Sequence, residues 1–112
     1  MIRVSPLAGL CLATAALTFP GAAQATTDID CDPSARPPGI NEAQRMICES
    51  ALFSMGYQRI HADQQRLLKA GAITPADVAA FRGKRDRCGS AACLDAVFRE
   101  WRAFAAQARA RP

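Results

Sequence analysis

Apolar side chains in the last quarter of the chain recur at helical spacing. Leu94, Val97, Phe98, Trp101, Phe104, Ala105 and Ala108 fall on one face, with Asp95, Arg99, Arg102 and Gln107 on the other. Ser90 stands ahead of them as a cap, so the pattern predicts a helix of medium length with Trp101 anchoring the core. Further upstream, Thr74-Pro75-Ala76-Asp77 combines a capping threonine, a proline at the first helical position and an acid in the first turn. A short helix is expected from there to about Arg87, with Val78 and Phe81 facing inward. Cys88-Gly89-Ser90 separates the two.

The middle of the chain predicts one long helix. Asn41 is a good N-cap and Gln44 completes a capping-box pattern. No proline intervenes before Gly71, a natural C-terminal stop. That gives up to about 29 residues, or roughly 43 Å. Ile47, Leu52, Met55, Ile60, Leu67 and Leu68 drift along a broad face beside Phe53 and Tyr57. Gly56 interrupts this run, either to let another helix approach or to mark a kink. No strand-like alternation and no internal repeat is present. The expected fold is all-α: a disulfide-stapled bundle of three helices, one long, one short and one medium, behind an extended N-terminal arm.

The first 25 residues read differently. Arg3, an apolar run from Leu7 to Phe19, the break at Pro20-Gly21 and the small residues Ala23 and Ala25 have the layout of a secretory signal. The run is too short for a membrane span. Cys11 follows Leu10 where a lipid-anchoring motif requires a small residue, so it reads as a thiol lost with the leader. The resulting organisation is a signal peptide at 1–25, an arm at 26–40 rich in Asp and Pro, a helical domain at 41–108 and a tail at 109–112. Export to a periplasmic or extracellular compartment follows, with no transmembrane segment after cleavage.

Four cysteines remain: Cys31, Cys48, Cys88 and Cys93. A domain this small has a thin core, and cross-links are a common remedy in oxidising compartments. Three pairings are open. Local pairing is expected, with Cys31–Cys48 tying the arm to the first helix and Cys88–Cys93 pinning a helix corner. On the chain-entropy model such loops are worth roughly 3 and 2 kcal/mol. The spacings suit neither structural zinc nor a redox pair.

Little in the chain points to catalysis. His61 is the sole histidine, with Ser54 two turns earlier but no acid-and-oxyanion motif around them. The carboxylates read as solvated acids and helix-end charges, and there is no phosphate loop. A non-enzyme without a cofactor is expected. Charge is uneven: residues 26–81 carry five basic and seven acidic side chains, whereas residues 82–111 carry eight and three. Arg82, Lys84, Arg85 and Arg87 form the densest basic run and a candidate face for an anionic partner. Helix-end charge complementing the macrodipole explains the same run. Export and the lack of interleaved aromatics exclude nucleic acid.

Asn41-Glu42-Ala43-Gln44-Arg45-Met46-Ile47-Cys48-Glu49 and Phe81-x-x-x-Arg85-Asp86-x-Cys88-Gly89-x-x-x-Cys93-Leu94 resemble the LprI-like N-terminal domain family. The resemblance spans roughly residues 31–104. It implies a small exported helical domain and, for some relatives, inhibition of lysozyme. The expected partner is therefore lysozyme or another cell-wall hydrolase. The alternative is an envelope-binding or structural module using its basic face on anionic lipid or cell-wall polymer.

Overall fold

The computed structural model describes residues 27–32 and 41–111. The expected signal peptide, most of the arm and Pro112 lie outside the described residues. Four helices follow in order: α1 (Glu42–Glu49), α2 (Ala51–Lys69), α3 (Pro75–Asp86) and α4 (Ala91–Ala110). Helix is the sole regular secondary structure among the described residues, with no strand.

The expected long first helix is two helices, and the break falls at Ser50 rather than Gly56. Ser50 takes an extended conformation (φ −110°, ψ 119°). Its N–H closes α1 on the Met46 carbonyl at 3.0 Å. Its Oγ accepts from the Phe53 N–H at 3.2 Å and so opens α2. A serine hydroxyl competes well for backbone donors at a helix start, where four N–H groups lack partners. Gly56 passes unbroken through α2, and the Phe98 ring lies where a Cβ would meet it at 3.6 Å. That excludes the kink at Gly56, and the ordinary contact distance shows that α2 and α4 do not approach closely enough there to require a glycine.

Other termini follow their residues. Asn41 caps α1 by accepting from the Gln44 N–H at 2.8 Å, while the Gln44 amide turns to Asp86 at 3.4 Å. Thr74 and Asp77 form the full reciprocal capping box. Gly71 (φ 72°) ends α2 in a Schellman arrangement, with Gly71 N–H on Leu68 O and Ala72 N–H on Leu67 O. α4 runs through Ala110, so Arg109, expected in a tail, is helical.

α2, α3 and α4 form an up-down-up bundle. Phe53 meets Phe98 near the start of α2, and Asp63 meets Arg109 further on, so α2 and α4 run the same way. α3 returns antiparallel along α4, with Phe81 on Trp101 and Lys84 on Glu100. Tyr57 stacks against Phe81 (6.2 Å, 10°) and Phe98 (6.0 Å, 26°), and Trp101 meets Phe81 edge-on at 5.5 Å. These rings, with Ile60, Leu67, Val78 and Leu94, make one core. Trp101 is 3% exposed and anchors it as expected.

Both disulfides join the expected local pairs. Cys31–Cys48 holds the arm to α1 with Cα atoms 5.3 Å apart, and Cys88–Cys93 clasps the α3–α4 corner at 5.4 Å. The tethered arm places Ile29 in the core. No helix among the described residues is long and apolar enough to cross a membrane.

Candidate functional site

The four basic residues singled out at 82–87 do not share one face. Three-residue spacing on α3 turns Arg82 and Arg85 toward the arm and leaves Lys84 and Arg87 outside. Arg85 is buried, with its side chain 3% exposed. Its guanidinium forks onto Asp86 (Nε–Oδ1 2.8 Å, Nη2–Oδ2 3.0 Å) and reaches Asp28 of the arm at 3.0 Å. It also donates to Tyr57 Oη at 2.6 Å and lies 5.4 Å from the centre of that ring. Tyr57 in turn donates to Asp28. Arg82 stands 3.5 Å from Asp28 as an ion pair without a hydrogen bond. Arg85 is therefore a structural node and is not available to an external anion.

Electrostatics within this node lock its protonation. Burial alone would raise the Asp28 carboxyl, but hydrogen bonds from Tyr57 and Arg85 outweigh it and hold Asp28 below its ordinary value. Asp86 is likewise held low, against burial, chiefly by Arg85. Burial pushes the Tyr57 hydroxyl up, and Asp28 adds to the rise. For Arg85, burial works downward and the hydrogen bond to Asp86 leads the groups that raise it overall. Two anions, two cations and a neutral phenol thus satisfy one another, leaving no group poised to exchange a proton near neutral pH.

Lys84 remains outside but pairs with Glu100 at 2.7 Å. With Arg87 it lines a shallow depression beside Cys93. His61 packs half-buried near the Tyr57 ring. Ser54 accepts from Gln58, and no hydrogen bond joins it to His61 among the described residues. Those residues also hold no cluster of three or more metal-ligating side chains.

A different set of cations is gathered where α2 and α4 run side by side. A groove of about 750 Å³ is lined by Arg59, Asp63 and Arg66 from α2 and Arg102 and Arg109 from α4, with Ile60 and Trp101 also contributing. Arg59 and Arg66 are seven residues apart, as are Arg102 and Arg109. On parallel helices this makes two tiers about 10 Å apart: Arg59 with Arg102, and Arg66 with Arg109. Asp63 serves the second tier, receiving two 2.8 Å bonds from Arg109 and one of 3.4 Å from Arg66. Arg59 and Arg102 are exposed and have no ion-pair partner among the described residues.

Sequence reasoning sought the densest run of charge and missed this groove. Its only linear signal is the seven-residue arginine spacing repeated in two distant helices, which acquires meaning once those helices are known to be parallel. No protein-family model, curated protein or solved structure was found to match the chain.

Proposed function

We propose that the chain is an exported, non-catalytic helical binding module whose α2–α4 groove receives an anionic component of the cell envelope. The single observation that carries this reading is the groove itself: four arginines against one aspartate, with the Arg59–Arg102 tier lacking an internal partner. Arginine is well suited to such a role, because its planar fork matches phosphate and carboxylate groups. Two disulfides support an oxidising compartment, and the leader-like first 25 residues support export.

Hydrolase inhibition, which the LprI-like resemblance implies, is the competing reading. Lysozymes are usually cationic, so an inhibitor of them gains from presenting negative charge. Here Asp28, Asp63 and Asp86 already face arginines of the same chain. That pairing favours the anionic-partner reading.

The test is a titration of the chain from residue 26 onward, which holds all the described residues, against soluble polyphosphate and anionic vesicles. Lysozyme activity is measured in parallel. Binding that weakens with salt and is lost in the Arg59→Ser/Arg102→Ser double variant is expected. Undiminished binding in that variant, or lysozyme inhibition without any anion binding, would overturn the proposal.

A further inference from the structure

Two large apolar side chains stand out as exposed on the folded domain: Leu52 at 81% and Met55 at 54%. Both lie on α2. At 100° per residue, Leu52, Met55, Arg59 and Arg66 fall within a sector of about 60°, forming one continuous stripe. Its first two turns are apolar and its last two cationic. The parallel α4 extends the cationic half sideways with Arg102 and Arg109.

From this alignment we infer that the groove face docks on a bilayer surface rich in anionic lipid: the arginine tiers take headgroup phosphates, and Leu52 and Met55 enter the headgroup–acyl boundary. This rests on the anionic-partner reading and narrows it to a lipid surface. A soluble polyanion would engage the arginines but gain nothing from Leu52 and Met55. A second copy of the chain would cover those two side chains but would supply no anion to the unpartnered Arg59–Arg102 tier. A bilayer surface satisfies both halves of the stripe, combining apolar burial with attraction to anionic headgroups. The acids on this face do not oppose it strongly. Asp63 is held by Arg109 and Arg66, and Asp95 by Arg99 at 2.9 Å.

Flotation of the chain from residue 26 onward with phosphatidylglycerol–phosphatidylcholine vesicles tests this, with pure phosphatidylcholine vesicles and soluble polyphosphate as the other arms. Binding is expected to the anionic vesicles and not to the neutral ones. Each arginine near an anionic leaflet contributes roughly a factor of five, so Arg59→Ser/Arg102→Ser is expected to weaken vesicle binding about thirtyfold. Leu52→Ser/Met55→Ser is expected to weaken it about tenfold or more while leaving polyphosphate binding unchanged. All four positions are exposed, and circular dichroism checks that each variant keeps its helices.

Vesicle binding indifferent to Leu52 and Met55 overturns the inference, as does equal binding to neutral vesicles. Self-association that disappears in the Leu52/Met55 variant, without vesicle binding, overturns it in favour of a second copy. Polyphosphate binding without vesicle binding overturns the lipid assignment and leaves the anionic-partner reading standing. Binding to neither anion overturns both.

Discussion

Asp28 and Arg85 lie 57 residues apart and meet at 3.0 Å, joining the N-terminal arm to the buried side of α3. The contact works together with the Cys31–Cys48 disulfide, which tethers the same arm to α1. One link is covalent and sets how far the arm can stray. The other is electrostatic and sets where it docks, over Tyr57 and against the aromatic core.

Replacing Arg85 by Met is expected to destabilise the domain by about 3 kcal/mol, because it strips Asp86 of its cation and leaves Asp28 with only the looser Arg82 pair. Changing Arg87 to Ser, at the exposed C-cap just past the same helix, is expected to cost no more than about 0.5 kcal/mol. Urea unfolding of both variants checks the contrast. Equal losses would refute the division of the basic run into a buried node and an outer face.

Acid should release the arm. Asp28 and Asp86 both titrate below their ordinary 3.8 in the folded chain, with burial opposing the shift and Arg85 and its neighbours prevailing. The unfolded chain therefore binds protons first as pH falls. The node's stabilisation is complete above the unfolded value and is lost as pH drops through the lowered ones. Stability is expected to be insensitive to these groups from neutral pH down to about 5 and to fall below about 4. Asp28→Asn is expected to be less stable than wild type at neutral pH and to converge with it in acid. Melting temperatures measured across pH would decide, with parallel curves counting against the assignment.

Much of this architecture is legible locally, and the exceptions have physical causes. Thr74, Asp77, Ser90, Gly71 and the apolar stripe of α4 act through neighbours within about one or two turns, so their residue types suffice. The two disulfides are legible because Cys88 and Cys93 flank one tight helix connection and Cys31 and Cys48 bracket the junction of the arm with the first helix. Ser50 escaped notice because a serine is tolerated within helices, and its capping role depends on how α1 and α2 pack. Arg85 and Arg87 are the same residue type two positions apart, and only tertiary packing assigns one to the core and one to solvent. The α2–α4 groove escaped for a related reason. Its arginines are scattered over residues 59–109 and converge only through the parallel pairing of two helices.

Gln64 is fully buried, and neither end of its amide has a hydrogen-bond partner. An unpaired buried amide costs roughly 1–3 kcal/mol. Met has a similar volume and no such requirement, so Gln64→Met is expected to raise stability by roughly 1–2 kcal/mol. The check is the urea midpoint at unchanged m-value. A lowered midpoint would mean that the amide is satisfied in solution, with ordered water the natural candidate in such a site.

Gly56 presents the opposite case, a small residue at a close contact that nevertheless has room to spare. A helix-interior glycine carries a backbone-entropy penalty of about 1 kcal/mol relative to alanine. The gain from replacing it depends on what a methyl group would meet. Here the nearest atoms are two ring carbons of Phe98, at 3.6 and 3.7 Å, which is ordinary van der Waals contact. Nothing has to move for Ala to fit, and the methyl would add contacts to the T-shaped Phe53–Phe98 pair's neighbourhood. Gly56→Ala is therefore expected to raise the stability of the domain by about 0.5–1 kcal/mol. The larger Gly56→Val brings two further carbons toward the same ring and is expected to lose that gain through overpacking. Thermal unfolding of the pair tests both the fit and its limit. A destabilised Ala variant would show that α2 and α4 pack more tightly at this point than a 3.6 Å separation allows.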